Sequence, residues 1–318
     1  MKTWKFVLIV FGCMLVTMPQ AMAMKYTIDG DLSDWGITDQ DLQNGLNDNN
    51  DESAWIPDAA GPKVSWVVEN DVYADPTHPG YPDKYLKDDG KEYYDYGVHI
   101  KGKGTTYNPY FEPKVDGKVQ PVGGETFDVE ALYLDEDKDY IYVAIVTSMP
   151  PEGICSSTGR CCSATDPYYC PGDLAIDIDF NLATGGLGYE YGVRLGSYDS
   201  NQFKIYRTDE DEDWYKTQVC PSNKPATVNV AHAGNPVGSA IGAYVFKGNW
   251  ETPYNKPVYV IELAIPKTVI GSTSSYQVHH AEAGCGNDAV DQGIPEFPTL
   301  LIPVGIVVGL FYYFTRRR

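Results

Sequence analysis

An antiparallel all-β sandwich is the fold class this sequence predicts, and three observations carry the prediction. Phe127, Val129, Ala131 and Tyr133 alternate with Asp128, Glu130, Leu132 and Leu134, then Glu136-Asp-Lys-Asp139 turns the chain. Tyr140 to Val146 is almost unbroken apolar sequence, so the pair reads as a hairpin whose second strand lies well inside a sheet. Further strand-like runs follow at short spacing, at 173–180, 189–195, 202–207, 240–247 and 258–265, with no sustained helical period between them.

The two ends of the chain are of another kind. Lys2 and Lys5 precede an apolar segment from Phe6 to Val16, and Ala21-Met22-Ala23 places small residues where a signal peptidase reads, so residues 1–23 read as a signal peptide. At the other end Pro295-Glu296-Phe297-Pro298 leads into an uncharged run from Phe297 to Phe314, followed by Arg316-Arg317-Arg318. As a helix that run would be about 27 Å long, enough to cross most of a bilayer core of about 30 Å. The arginines form the positive flank that stays cytoplasmic, which places the preceding body outside. The expected organisation is therefore a signal peptide, an extracellular body over residues 24–293, and a membrane-anchored tail over 294–318.

Charge narrows the partners. The chain has 24 Lys+Arg against 44 Asp+Glu, a net −20. Setting aside Lys2, Lys5, Glu296 and Arg316 to Arg318 leaves 19 against 43, so the body stands near −24. Such a body repels nucleic acid and anionic lipid. Solvation in a salty exterior accounts for scattered acids of this kind, and some of them can also collect calcium. Cys13 leaves with the signal peptide; Cys155, Cys161, Cys162, Cys170, Cys220 and Cys285 remain, an even set in an oxidising compartment. They read as disulfide partners with open connectivity, and the adjacent Cys161 and Cys162 look to different partners. Zinc is the weaker alternative, since paired C-x2-C knuckles are missing.

Between the ends, Lys25-Tyr-Thr-Ile-Asp-Gly-Asp-Leu-Ser-Asp-Trp35 reads as a short strand entering an Asp-Gly turn, with Trp35 as an apolar anchor. Asp29, Asp31 and Asp34 can ligate a hard cation such as calcium, or simply cap the turn with their own side chains. Residues 36–62 show no period and read as a long loop, Lys63 to Glu69 as a strand, and 70–124 as a Tyr-, Pro- and Gly-rich surface excursion with one strand near 93–100.

Taken together, Ile28-Asp-Gly-Asp-Leu-Ser-Asp-Trp35, Leu134 to Val146, Gly172-Asp-Leu-Ala-Ile-Asp-Ile-Asp179 and Val258-Tyr-Val-Ile-Glu-Leu-Ala-Ile-Pro266 resemble, in order, the family 9 carbohydrate-binding modules and related DOMON-like sandwiches. The resemblance implies a jelly-roll-like sandwich, calcium as a structural ion with Asp173 beside Asp29, Asp31 and Asp34 as ligand candidates, and sugar held by aromatic rings. Tyr168 and Tyr169 stand where such a ring is expected, and Trp214 and Trp250 are candidates for its partner. The tail resembles the PEF-CTERM sorting signal of archaeal surface proteins. That implies an archaeosortase as partner, with Pro295, Glu296, Phe297 and Pro298 as the recognised residues.

Catalysis finds no support in the motifs. There is no GxSxG, HExxH, phosphate loop or haem CxxCH, and no N-x-S/T sequon. His279 and His280 are adjacent, so on a strand they point to opposite faces and cannot share one metal. Asp173, Asp177 and Asp179 alternate on one strand and suit a solvated or ion-bearing face better than a glycosidase pair. The expectation is a non-catalytic surface protein, either a glycan-recognising module or a structural subunit of a surface layer or filament.

Overall fold

A computed structural model describes residues 24–45, 55–57, 64–68, 83–87, 92–95, 129–155, 159, 161–163, 169–181, 183–215, 229–230, 233–251, 256–271, 275–282 and 289–294. In chain order these form helix α1 (Asp39–Gly45), strands β1 (Ser65–Val68), β2 (Asp83–Lys87), β3 (Glu92–Asp95), β4 (Val129–Glu136) and β5 (Tyr140–Thr147), then β6 (Leu174–Asp177), β7 (Tyr191–Val193), β8 (Lys204–Arg207), β9 (Trp214–Tyr215), β10 (Asn229–Val230), β11 (Gly238–Ser239), β12 (Ile241–Glu251) and β13 (Lys256–Pro266), followed by helix α2 (Lys267–Ile270) and strands β14 (Tyr276–Ala281) and β15 (Ala289–Ile294). The first sheet has seven strands in the order β12-β13-β5-β4-β1-β2-β3, the second six in the order β11-β8-β7-β6-β14-β15. All their pairings are antiparallel.

The sheets pack face to face. Leu132, Leu134, Val143, Ile145, Ile261 and Leu263 of the first meet Leu174, Ile176, Val193, Ile205 and Val278 of the second in one apolar core. Simple alternation would set Val129 on the face opposite Leu132, yet both line this core, because a bulge between Val129 and Ala131 resets the pleat.

The outer faces are not left to solvent, which departs from the in/out alternation the sequence suggests. Behind the first sheet a second core holds Tyr26, Trp35, Ile37, Leu42 and Trp55 against Tyr133, Tyr142, Val146 and Val260. Behind the second sheet Tyr189, Tyr206, Trp214 and Val230 gather over Ala175. Many of the aromatic side chains among the described residues sit in these layers that clothe both sheets, and β4 and β5 are buried on both sides.

The reading of 36–62 as featureless loop is corrected at Ile37, α1 and Trp55. Thr38 and Asp41 bond reciprocally at the helix start, with Thr38 N donating to Asp41 Oδ2 at 2.8 Å and Asp41 N to Thr38 Oγ1 at 3.2 Å. This is a capping arrangement that the order Thr-x-x-Asp encodes. Leu42 and Trp55 are then fully buried. β14, β15, β2 and the short β9 to β11 are further elements that the sequence reading did not place. The signal peptide, the apolar tail, most of the 70–124 excursion, Tyr168, Cys220 and Cys285 lie outside the described residues. Among the described residues no helix is long and apolar enough to cross a membrane.

The body has two distinct ends. β13 and β14 are joined through α2 at one end, where Ile265 faces Ile141 and Tyr276 faces Ile294. The chain thus leaves its last strand at this end, beside the β4–β5 turn. At the other end Thr147 leads through the cysteine-rich segment to Leu174. Two disulfides, Cys155–Cys161 and Cys162–Cys170, close that segment, so the adjacent cysteines do take separate partners.

Candidate functional site

Asp29, Asp31 and Asp34 do not gather around a common point. Asp29 Oδ1 accepts from Asp31 N at 3.0 Å, Asp31 Oδ1 from Ser33 N at 2.9 Å, and Asp34 Oδ2 from Thr27 N at 2.7 Å. Each carboxylate caps its own stretch of turn. What the motif clasps is Glu262 on β13: Asp29 N and Gly30 N donate to its Oε2 at 3.0 and 2.5 Å, and Trp35 Nε1 to its Oε1 at 2.8 Å. Gly30 has φ +82°, and a Cβ there would lie 2.5 Å from Val245 Cγ2, so no other residue lets the turn approach the sheet this closely. Burial pushes the Glu262 carboxyl up to about 7 despite its three donors.

Asp173 is likewise committed. It is fully buried and accepts from Arg194 Nε at 3.0 Å, Val230 N at 2.8 Å and Leu195 N at 3.0 Å. Arg194 in turn reaches Asp199 at 2.6 Å and the carbonyl of Val230, with its guanidinium 5.2 Å from the Tyr198 ring centre. The arginine offsets the charge of a buried carboxylate and ties three segments together, so Asp173 belongs to the fold.

Carboxylates do converge a few residues further on, between β6 and β7. Asp177, Asp179 and Glu190 each bring an oxygen within 4.8 Å of the others. Asp177 is buried, Asp179 exposed and Glu190 half-buried. Backbone donors hold them in place: Asp179 N and Phe180 N on Asp177 Oδ1 at 3.1 and 2.8 Å, and Ile178 N on Glu190 Oε2 at 2.9 Å. Thr184 Oγ1 sits 3.0 Å from both oxygens of Asp179. Phe180 and Leu187 flank the group with φ of 54° and 56°, a left-handed backbone that costs energy for non-glycine residues. Spacing along the strand points to Asp177 and Asp179; Glu190 arrives from the residue just before β7 through the tertiary fold, and no local pattern marks it.

Of the four aromatic candidates, the three that are described, Tyr169, Trp214 and Trp250, do not form a clamp. Trp214 is 2 % exposed, with Nε1 donating to Gly186 O at 2.9 Å, and serves the outer core of the second sheet. Trp250 packs against the outer core of the first sheet. Tyr169 is half-buried in the disulfide segment, where its carbonyl accepts from Ile154 N at 2.8 Å. Another aromatic group stands at the disulfide end. Phe246, 53 % exposed, lies across from Tyr259, with ring centres 5.4 Å apart, and Tyr244 meets Tyr259 edge-on at 5.9 Å. Tyr244 donates to Met149 O at 2.7 Å, and Glu152, exposed, lies near enough that burial together with its charge pushes the Tyr259 hydroxyl up.

Residues 294–318 match the PEF-CTERM archaeal protein sorting domain. The protein is exported and held at the cell surface by its C-terminus. An archaeosortase is the processing partner of such signals. No curated protein and no solved structure matches the chain. The sorting domain begins at Ile294, the last residue of β15, so it follows directly from the edge strand of the second sheet, at the end of the body opposite the disulfides.

Proposed function

We propose that the body is a non-catalytic recognition module of the jelly-roll-like kind, binding glycans at its disulfide end and holding calcium as a structural ion between β6 and β7. The observation that carries the glycan reading is the exposed ring of Phe246 beside Tyr259 and Glu152. A flat ring covers the apolar face of a pyranose while a neighbouring carboxylate accepts from its hydroxyls. This end lies farthest from the anchor, where a surface ligand is reached. Binding on a glycan array that drops about fivefold or more with Phe246→Ala and Tyr259→Ala is the expected result, since such a ring contributes about 1 kcal/mol; an array without signal above background removes the sugar.

Calcium rests on a different point. Three carboxylate oxygens packed within 4.8 Å of one another repel unless a proton or a cation sits among them. Asp177, Asp179 and Glu190 are an all-oxygen set of the kind a hard cation takes. At free calcium about 100 times the dissociation constant, an ion bound only to the native state raises stability by about 2.7 kcal/mol. The melting temperature is expected to rise with calcium in the parent protein and not in Asp179→Asn; a melting temperature indifferent to calcium and chelator would sink the site.

A further inference from the structure

Sheet edges are the other surface on which a β-protein can act. β12 forms one edge of the first sheet, and among the described residues no strand pairs with its outer side. It is eleven residues long, and its first six, Ile241-Gly-Ala-Tyr-Val-Phe246, hold neither charge nor proline. Edges of this length are ordinarily blunted by lysine, proline or a bulge. Here the bulges come only after Phe246, and Lys247 is turned away, with Nζ 3.0 Å from Gly30 O and 2.7 Å from Asp39. Ile241 to Phe246 therefore keep unbroken register with β13, and among the described residues their other side has no partner strand. Apolar exposure marks both ends of the same stretch. The large exposed hydrophobic side chains among the described residues are Phe180, Val237, Ile241 and Phe246; two lie on β12 and Val237 on the segment leading into it.

We infer that this edge pairs with the β12 edge of a second copy of the chain, antiparallel about a two-fold axis. Strand addition is driven by backbone groups, and an uncharged stretch offers a foreign partner little charge to select it by. A two-fold pairing is complementary to itself by construction. The sorting domain also delivers every copy to a cell surface, so two facing surfaces present arrays of the same edge to one another. The net charge of −20 opposes association at long range, so added salt strengthens it.

The test is sedimentation velocity of the full chain in detergent micelles, over a wide concentration range, at about 0.1 M and about 1 M salt. A monomer–dimer equilibrium that tightens with salt, and that Ile241→Lys weakens by about tenfold or more at unchanged melting temperature, is expected. Phe180→Lys should leave it untouched. Should Ile241→Lys fail to fold, Val237→Lys is read in its place. A chain that stays monomeric throughout, a dimer that weakens with salt, or one indifferent to the folded edge variant overturns the pairing. Glycan binding by the folded edge variant at parental affinity separates this outcome from the fate of the sugar site.

Discussion

Glu262 shows how one residue can explain a motif. The Asp-Gly-Asp turn is legible in the sequence as a turn, and its three aspartates suggest an ion. The folded chain instead spends those aspartates on local caps and aims the backbone N–H groups at a carboxylate on β13. Self-capping by the aspartates is one of the two readings the turn allows, but nothing in the neighbourhood of residue 30 announces a partner more than two hundred residues away, so the clasp is not legible there. The group also makes stability depend on pH. With its carboxyl raised from an ordinary 4.5 to about 7, the folded chain retains a proton that the unfolded chain loses over that interval. The contribution is greatest below about pH 4.5 and declines as pH rises through 7, by ~3 kcal/mol in all. In urea melts from pH 5 to 8, Glu262→Gln is expected to flatten this slope. Glu262→Ala leaves three donors without an acceptor and should cost about 2–4 kcal/mol. A parental slope unchanged in Glu262→Gln would assign the dependence to another group.

Among the elements, the long strands were legible and the short ones were not. β4, β5, β12 and β13 announce themselves by apolar runs or alternation that outlast chance. β9, β10 and β11 are two residues each and exist only because neighbours pair with them. The disulfide segment lies between these cases: its cysteines predict cross-links, but only the fold decides that Cys155 meets Cys161 and Cys162 meets Cys170. Cys170 is fully buried, and the segment anchors the second sheet through Ser197 N on Pro151 O at 2.7 Å. Closing loops of this size confines the unfolded chain by about 2–3 kcal/mol per bridge. Paired Cys162→Ser and Cys170→Ser substitution should lower stability by that amount, read by thermal melting under non-reducing conditions. A loss well under 1 kcal/mol would mean that the segment holds its shape through hydrogen bonds alone.

For the whole molecule, location was written plainly and ligand was not. A basic flank, an apolar run and Pro-Glu-Phe-Pro suffice for the first, since membranes and sorting enzymes read short linear signals. Phe246 and Tyr259, like Asp179 and Glu190, come from the reaches of consecutive strands and meet only once those strands pair, so the sequence shows the residues without their geometry. The direction of the strands also has a large-scale effect. Ile241 lies opposite Ala264, at the end where Ile294 leaves the body. An antiparallel β12 pair therefore sends its two anchors out at opposite ends. Full chains reconstituted in liposomes are expected to cluster them, seen as a rise in light scattering that Ile241→Lys abolishes. Vesicles that remain separate while the protein dimerises would mean that copies pair within one membrane.

The clasp between Gly30 and Glu262 spans nearly the entire body. The turn is made early in synthesis and the strand it requires is among the last, so the outer aromatic layer of the first sheet has no complete platform until most of the polypeptide is present. Until then Trp35 and Trp55 remain uncovered. Contacts so far apart in sequence form slowly and leave partly built states prone to stick to one another. A strongly negative surface is a fitting companion to that delay, because it keeps unfinished molecules apart while they wait.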